Sequence, residues 1–480
     1  MQMNKLNKVI LLSSLLLLTV QIRMFAIVQL PSFFSNGMVL QQQTNSAVWG
    51  WAKTGALVKI TTSWNKKTYS TTADTKGRWA IKVATPSAGG PFTLTITDGE
   101  PLVITNVLIG EVWLCSGQSN MEMPMKGFKD QPIKGSNDAV FNSTNDNIRM
   151  FIVPRAVERL TKDTSKNSAW KPATPENVSN FSATAYYFGR LLQSQLKVPI
   201  ALINVSYGGS PAEAFMSAAS LKAFPEISVP AATGTEKLTN KFATTLYNGM
   251  IHPVIGYTIK GALWYQGETN YERPDQYEKL FPAMVKLWRD EWGQGNFPFY
   301  FAQIAPFAYS SLPATATNPK LNSAYLRDAQ RKSANLIPNS GIVVLMDAGE
   351  EKSIHPADKE IVGKRFAYYA LGETYGKKGF AFQSPSFDSL TVKDSIATVN
   401  FKNAGNGLTS FGKRLEQFEV AGADKKFHPA QARIVRGNIE LFATEVRMPV
   451  AVRYAFKDFV VGELFSTEGY PVSSFRTDDW

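Results

Sequence analysis

The chain has 480 residues, enough for two or three domains, and it contains one Cys and three His. A single Cys excludes an intrachain disulfide framework and a zinc site built on several thiolates, and three dispersed His leave little for an imidazole-rich metal centre. The formal net charge is +12, but the basic residues are scattered rather than clustered, so no nucleic-acid-binding module is indicated.

Residues 1–26 have the pattern of a signal peptide. Lys5 and Lys8 precede an apolar run over residues 9–20, and the segment closes at the small residue Ala26. This run is too short to span a bilayer, and no later segment reaches about 18 consecutive apolar residues. We therefore predict an exported protein, periplasmic or extracellular, with no membrane span in the mature chain. Removal of this segment, which contains three basic residues and no acidic ones, leaves the mature chain with a formal net charge of +9. A positive charge weakly favours an anionic substrate through electrostatic steering.

Residues 27–105 have the pattern of short β-strands separated by turns. Alternating stretches at residues 56–61, 78–83 and 92–97 are divided by turn clusters such as DTKG at residues 74–77. This spacing is typical of a small β-sandwich-like domain, and no catalytic grouping lies within it.

Between residues 106 and 384, apolar strand-like runs alternate with segments of helical periodicity. The helical segments include residues 182–196, with Ser182 as a candidate N-cap, residues 277–288 and residues 357–371. This alternation predicts an α/β domain with a parallel sheet that is covered by helices on both faces. The predicted strands lie at residues 107–115, 148–153, 200–205, 259–265, 299–304 and 342–346.

Strand patterns return after residue 385. They predict a C-terminal β-rich region over residues 385–480, which either forms a module of its own or completes the N-terminal β-domain. The predicted strands of this region lie at residues 396–401, 417–420, 434–442 and 451–456.

Candidate catalytic groups follow the predicted strands. Ligands bind at the carboxyl ends of parallel strands, and Ser119 follows the first run, Gly209 the third, Gln266 the fourth and His355 the sixth. A serine hydroxyl becomes a nucleophile when an imidazole removes its proton, and the tetrahedral intermediate then needs hydrogen-bond donors. The convergence indicates acyl-transfer chemistry, with the amides of Ser119 and Gly209 and the carboxamide of Gln266 as donors. Cys115, embedded among apolar residues, is interpreted as a buried small hydrophobe.

Three of these segments resemble the motifs of a known enzyme family. GEVWLCSGQSNME at residues 110–122, WYQGETN at residues 264–270 and IHP at residues 354–356 are similar to the sialate O-acetylesterase family of the SGNH hydrolase superfamily. The resemblance implies a flavodoxin-like α/β catalytic domain at residues 106–384 that removes acetyl groups from sugar hydroxyls without a cofactor or metal. It extends over nearly the whole mature chain, through VWGWA at residues 48–52, YNGMIHP at residues 247–253 and FRTD at residues 475–478.

By matching position, the resemblance implies that Ser119 is the nucleophile and His355 is the base. It also implies that Gly209 and Gln266 join the Ser119 amide in the oxyanion hole. Of the three His, only His355 follows the last strand of the predicted sheet. The other two are interpreted as structural residues: His252 and His428.

The third member of the triad stays unresolved. The family commonly has an acid two residues before the His, where this chain has Ser353, and the related position three residues before is Lys352. A carboxylate orients the imidazole and stabilises its protonated form. We favour a Ser-His dyad whose imidazole is oriented by a backbone carbonyl, which fixes the tautomer without a carboxylate. The alternative partners are the acids Asp347, Glu350, Glu351 and Glu268.

Three hypotheses for the function follow. The first is an exported carbohydrate esterase that hydrolyses O-acetyl esters of sialic acids, or sialoglycans, through an acetyl-enzyme intermediate. Arg327 and Arg149 are the candidates for the cation that binds the sugar carboxylate, and the alternative interpretation makes both of them surface or salt-bridge residues. The second is an acetylesterase acting on acetylated xylan or another plant polysaccharide. The third is an inactive glycan-binding protein on the same scaffold, because the acid is missing.

Overall fold

The structure is a computed structural model that describes residues 28–312 and 322–480, so the predicted signal peptide lies outside the described residues. The N-terminal part is made of short strands in which buried and exposed residues alternate, as in strands with one face toward solvent. These strands are β1 (Val39–Gln41), β2 (Asn45–Trp51), β3 (Leu57–Thr62), β4 (Thr68–Thr72), β5 (Arg78–Ala84) and β6 (Gly89–Thr97).

The long strand β7 (Pro101–Gly117) belongs to both the N-terminal part and the catalytic sheet. Its first half pairs antiparallel with β6, and its second half pairs in parallel with two strands of the catalytic sheet. One strand therefore crosses the predicted boundary at residue 105, and the division into domains stays a prediction. The other strands of the catalytic sheet are β8 (Asn145–Ile152), β9 (Lys171–Ala173), β10 (Ile200–Ser206), β11 (Gly261–Tyr265), β12 (Phe299–Ala302) and β13 (Ser340–Val343).

The catalytic sheet has the strand order β13-β12-β11-β7-β10-β8-β9. All its pairs from β13 to β8 are parallel, and only the edge pair of β8 with β9 is antiparallel. After β7 the chain forms β8, β9 and β10 on one side, with β10 inserted between β7 and β8, and then β11, β12 and β13 on the other side. This reversal creates a switch point at the end of β7, where ligands bind in such sheets. The predicted α/β class, with a parallel sheet and flanking β-rich segments, is confirmed.

Helices cover both faces of this sheet. Within the described residues they are α1 (Ser119–Glu122), α2 (Ser136–Phe141), α3 (Pro175–Ser179), α4 (Ala183–Leu196), α5 (Pro274–Trp292), α6 (Ala324–Leu336) and α7 (Lys359–Tyr369). α4 and α7 pack on one face of the sheet, and α5 and α6 pack on the other. Because successive side chains of a strand point to opposite faces, the neighbours Leu114 and Cys115 on β7 lie in different hydrophobic cores. The Ser182 hydroxyl caps α4, as predicted, by accepting a hydrogen bond from the Ala185 amide at 3.1 Å.

Single turns of 3-10 or π geometry connect these elements. They lie at Ala212–Phe215, Ser220–Ala223, Tyr247–Ile251, His252–Val254, Glu268–Asn270, Tyr309–Ser311 and Ala370–Thr374. None of the helices within the described residues has both the length and the apolar character needed to cross a membrane.

The C-terminal strands are antiparallel and surround a third hydrophobic core, to which Val344 and Met346, just after β13, also contribute. The predicted single strand at residues 434–442 is wrong, because the chain turns back at Arg436 and Gly437, whose φ values are +51° and +82°. Two central residues with positive φ make the tight hairpin turn that a glycine permits. The strands are β14 (Ser386–Lys393), β15 (Ile396–Lys402), β16 (Leu408–Thr409), β17 (Phe418–Ala421), β18 (Phe427–Pro429), β19 (Gln431–Val435), β20 (Asn438–Phe442), β21 (Ala451–Tyr454), β22 (Phe465–Ser466) and β23 (Phe475–Arg476).

Candidate active site

Ser119 is the first residue of α1 and lies just beyond the carboxyl end of β7. The connection is tight, because Gly117 has a φ of +140° and a Cβ at this position would lie 2.1 Å from the carbonyl oxygen of Tyr265. Only glycine fits there. Since the first amides of a helix have no acceptor within the helix, the Ser119 amide is left to bind a ligand oxygen.

His355 lies between β13 and α7 and contacts the serine directly. Its Nε2 is 2.7 Å from Oγ of Ser119, and both residues are half-buried. Burial, followed by the positive charge of Lys359, lowers the pKa of His355 to about 4. The imidazole is therefore neutral near pH 7 and is able to accept the serine proton. The structure thus brings together the predicted nucleophile and the predicted base.

The other ring nitrogen of His355 contacts Gln131, a residue that the sequence analysis did not identify. Nδ1 lies 2.6 Å from Oε1 of Gln131. An amide oxygen only accepts hydrogen bonds, so Nδ1 carries the hydrogen and Nε2 is left unprotonated toward Ser119. The expected orienting group was a backbone carbonyl, and the structure shows a side-chain carbonyl instead. The hydroxyl of Ser353, at the position where the family commonly has an acid, donates to the His355 carbonyl and accepts from the His355 amide.

Gln131 was missed because it lies in the loop between α1 and α2, away from the carboxyl end of any strand. The loop is shaped by tertiary packing: the ring of Phe128 meets the ring of His355 edge-on at 5.5 Å, and the Phe128 amide donates to the Gln131 carbonyl at 3.1 Å. No residue pattern in this loop distinguishes Gln131 from an ordinary surface glutamine.

Three of the acids considered as triad members lie outside hydrogen-bonding contact with the imidazole. Asp347 forms a bidentate ion pair with Arg365, with oxygen-to-nitrogen distances of 2.7 and 2.6 Å. Glu350 accepts a hydrogen bond from the Ala357 amide at 2.7 Å, and Glu351 is exposed. None of these carboxylates therefore orients the imidazole.

The fourth acid, Glu268, belongs to a buried polar cluster with Asn120 and Lys359. The Asn120 carboxamide donates to Glu268 and, at 3.0 Å, to the carbonyl of Ile354, and it accepts a hydrogen bond from Lys359. Burial raises the pKa of Glu268 and lowers the pKa of Lys359 to about 7. Asn120, which directly follows Ser119, is therefore hydrogen-bonded to Ile354, which directly precedes His355.

Gly209 lies in the turn that follows β10, with a φ of +70° that favours glycine. The Asn240 carboxamide holds this turn by donating to the Gly208 carbonyl at 2.7 Å and to the Ser210 hydroxyl at 3.0 Å. The Gly209 amide has no hydrogen-bond partner in the part of the chain that the structure describes. It is therefore available, with the Ser119 amide, to an oxyanion.

Gln266 is placed differently from the expectation. It is fully buried, and its Nε2 donates to Asn270 Oδ1 at 2.6 Å and to the Ser210 carbonyl at 3.2 Å. Both amide hydrogens are therefore used within the protein. The structure does not place Gln266 in the oxyanion hole; the side chain supports the turn that carries Gly209.

The remaining His and Cys residues lie outside the site. His252 bonds through Nδ1 to the Lys162 carbonyl at 2.9 Å, and His428 lies on β18. Cys115 is fully buried, as predicted, and burial raises the pKa of its thiol.

The two arginines expected to supply a cation for the substrate are buried in structural contacts. Arg327 is fully buried and donates to the hydroxyls of Ser474 and Ser323, which joins α6 to the C-terminal strands. Arg149 is 5% exposed and donates to the Asp146 carbonyl at 2.8 Å. The expectation that one of them binds substrate is therefore wrong.

Comparisons with known proteins give concordant results. A family model described as a carbohydrate esterase, sialic acid-specific acetylesterase, matches residues 109–371, a span that contains Ser119, Gln131 and His355. The sialate O-acetylesterases of Homo sapiens and Pongo abelii are each 32% identical over 391 residues, covering 74% of this chain and 72% of those proteins. The crystal structure of a carbohydrate acetylesterase from Xanthomonas citri has a TM-score of 0.85 at 33% identity, covering 94% of this chain and 100% of that one.

Proposed function

This chain belongs to the sialic acid-specific acetylesterase family of carbohydrate esterases, and from that membership we propose that it hydrolyses O-acetyl esters of sialic acids through an acetyl-enzyme on Ser119. The observation that carries the mechanism is the 2.7 Å contact between Ser119 Oγ and His355 Nε2. A neutral imidazole at this distance is positioned to take the serine proton during attack.

In the first half-reaction, Ser119 Oγ attacks the acetyl carbonyl carbon while its proton passes to His355 Nε2. The tetrahedral intermediate collapses, the bond to the sugar oxygen breaks, and the imidazolium returns the proton to that oxygen. In the second half-reaction, His355 takes a proton from water as the water oxygen attacks the acetyl carbonyl carbon. The bond from that carbon to Ser119 Oγ then breaks, the imidazolium returns the proton to Oγ, and acetic acid leaves and loses its own proton to solvent as acetate. During both halves the imidazolium donates its Nδ1 hydrogen to Gln131 Oε1.

The amides of Ser119 and Gly209 are the proposed oxyanion donors. The first is left open at the start of α1 and the second in the turn after β10. Each such donor typically lowers the barrier by about 3 to 4 kcal/mol because its dipole is fixed before charge develops on the oxygen.

The choice of sialic acid over a neutral sugar rests on the curated relatives, which are named sialate O-acetylesterases. The Xanthomonas citri relative is described as a carbohydrate acetylesterase, with no sugar specified, so acetylated xylan is the rival substrate. No observation favours the inactive scaffold, since Gln131 orients the imidazole without an acid.

The test measures acetate released by the purified protein from O-acetylated N-acetylneuraminic acid and from acetylated xylan. We expect a higher kcat/KM on the sialic acid, and a loss of at least about 10³-fold in Ser119→Ala. A higher rate on xylan would assign the rival substrate. Acetate release that persists in Ser119→Ala would reject the mechanism.

The proposal includes export, which rests on the leader pattern of residues 1–26. Mass spectrometry of the N-terminus of the protein produced in its native cell is the test. A mature N-terminus near residue 27 in the periplasm or medium supports export, and an intact Met1 in the cytoplasm opposes it.

A further inference from the structure

Arg155 lies in the loop between β8 and β9, beside the helix that carries the nucleophile. Its Nε donates to Oε1 of Glu122 at 2.6 Å. Glu122 is the last residue of α1, whose first residue is Ser119. The guanidinium is therefore fixed to the same helical turn as the catalytic hydroxyl.

Glu122 also connects Arg155 to the oxyanion turn. Its other carboxylate oxygen, Oε2, accepts a hydrogen bond from the Gly208 amide at 2.8 Å. Gly208 lies against the nucleophile, because a Cβ added to it would be 3.2 Å from Cβ of Ser119. Arg155 thus lies on the side of the site formed by the turn at residues 207–210.

One edge of the Arg155 guanidinium is unoccupied. Its Cζ atom lies 4.6 Å from the ring centroid of Tyr207, and its Nε donates to Glu122, but neither Nη atom has a partner among the residues that the structure describes. The Arg155 side chain is 54% exposed, whereas that of Glu122 is 13% exposed, so the edge bearing the two Nη atoms faces solvent. Two parallel N–H donors on one edge match the two oxygens of a carboxylate.

Two nearby bases, Arg273 and Lys359, are engaged in other contacts. Arg273 is paired through its Nη atoms with Glu213 and Gln276, at 2.6 and 2.5 Å. Lys359 is completely buried behind the catalytic pair. Of these three bases, Arg155 is the one whose Nη donors have no partner among the described residues.

We propose that Arg155 binds the carboxylate of the sialic acid and is the residue that makes this esterase prefer an anionic sugar. This inference rests on the proposed function, because a neutral acetylated sugar has no such group. The Tyr207 ring contacts the guanidinium and Glu122 binds its Nε, so these two contacts restrict the Nη donors before the substrate arrives. The role is one of specificity, since Arg155 contacts a part of the substrate that does not react.

The competing explanation is that Arg155 only neutralises Glu122 and so supports the turn at Gly208. Its removal would then impair every substrate equally. The discriminating quantity is therefore a ratio: kcat/KM for O-acetylated N-acetylneuraminic acid divided by kcat/KM for its 1-carboxamide, with acetate release as the readout. The carboxamide has nearly the same shape but no charge.

We expect the wild type to favour the free acid and Arg155→Gln to lower the ratio about 10- to 100-fold, mainly through KM. Arg155→Lys keeps the charge but loses the paired donors, and should give an intermediate ratio. The matched control is Arg78→Gln. Arg78 is 51% exposed and is paired with Asp163 of the same loop, outside the site, so this variant should keep the wild-type ratio.

An unchanged ratio in Arg155→Gln, or a wild-type ratio near 1, would overturn the role of Arg155 and leave the proposed function standing, because both sialic acid derivatives still release acetate. Failure of the wild type to release acetate from either derivative, with activity retained on 4-nitrophenyl acetate, would reject the sialic acid substrate and the role of Arg155 together.

Discussion

The carboxamide oxygen of Gln131 lies 2.6 Å from Nδ1 of His355, where the histidine of a serine hydrolase triad ordinarily meets a carboxylate. A carbonyl oxygen fixes the tautomer as a carboxylate does, but it carries no net charge to stabilise the imidazolium. The low pKa of His355, about 4, accords with this neutral partner. Gln131 therefore orients the imidazole through a hydrogen bond but supplies no negative charge to stabilise the imidazolium.

Gln131→Ala should lower kcat/KM about 10- to 100-fold, because the imidazolium that forms during attack loses its acceptor. The measurement is hydrolysis of 4-nitrophenyl acetate, which requires no sugar recognition. Gln195→Ala is the control, since Gln195 is exposed on α4 and lies outside the site. Equal rates in the two variants would show that Gln131 does not orient the imidazole.

Gln131→Glu should move the acid limb of the pH–kcat/KM profile, where activity is lost as His355 becomes protonated, to a higher pH. A carboxylate beside Nδ1 favours the protonated imidazole, so the pKa of His355 rises above about 4 and the base is lost at a higher pH. Above that limb, kcat/KM should be no lower than in the wild type, because the new charge stabilises the imidazolium. A pH–kcat/KM profile on 4-nitrophenyl acetate checks both expectations; a downward move of the limb would contradict the first.

The sheet and the proximity of Ser119 to His355 were predictable because they follow from local patterns. Apolar runs marked the strands, the carboxyl ends of parallel strands converge at one edge, and Ser119 and His355 each follow such a strand. Gln131 carries no local signal, since its position depends on how Phe128 packs against the imidazole.

The side-chain directions of Gln266 and Arg327 could not be predicted for a related reason. The pattern places Gln266 at the end of a strand but does not say whether its amide faces the ligand or, as the structure shows, Asn270. Arginine usually lies at the surface, yet the guanidinium of Arg327 is buried, and hydroxyl and carbonyl oxygens from distant segments accept its hydrogen bonds. Such partners appear only once the C-terminal strands are in place.

Asn120→Ala should destabilise the fold by about 3 to 5 kcal/mol, because it leaves the buried Glu268 and Lys359 without their shared carboxamide. Urea unfolding is the measurement. Asn180→Ala is the matched control: Asn180 is exposed and also makes one contact with a lysine, Lys126. A similar free energy of unfolding in both variants would show that the buried cluster is not a stabilising element.

Lys359→Met tests how the buried lysine acts on the base. At acidic pH Lys359 carries a positive charge, since its pKa is about 7, and that charge helps to lower the pKa of His355 to about 4. Without the charge, His355 binds its proton more readily, and the base is protonated at a higher pH.

The acid limb of kcat/KM should therefore lie at a higher pH in Lys359→Met than in the wild type, where we expect it near the pKa of His355, about 4. The readout is the position of the limb and not the rate, because removing a buried group also affects stability. Lys364→Met is the control, since Lys364 lies on the same helix but is 44% exposed and paired with Glu360. A limb that stays at the wild-type pH in Lys359→Met, or moves down, would show that the charge of Lys359 does not lower the pKa of His355.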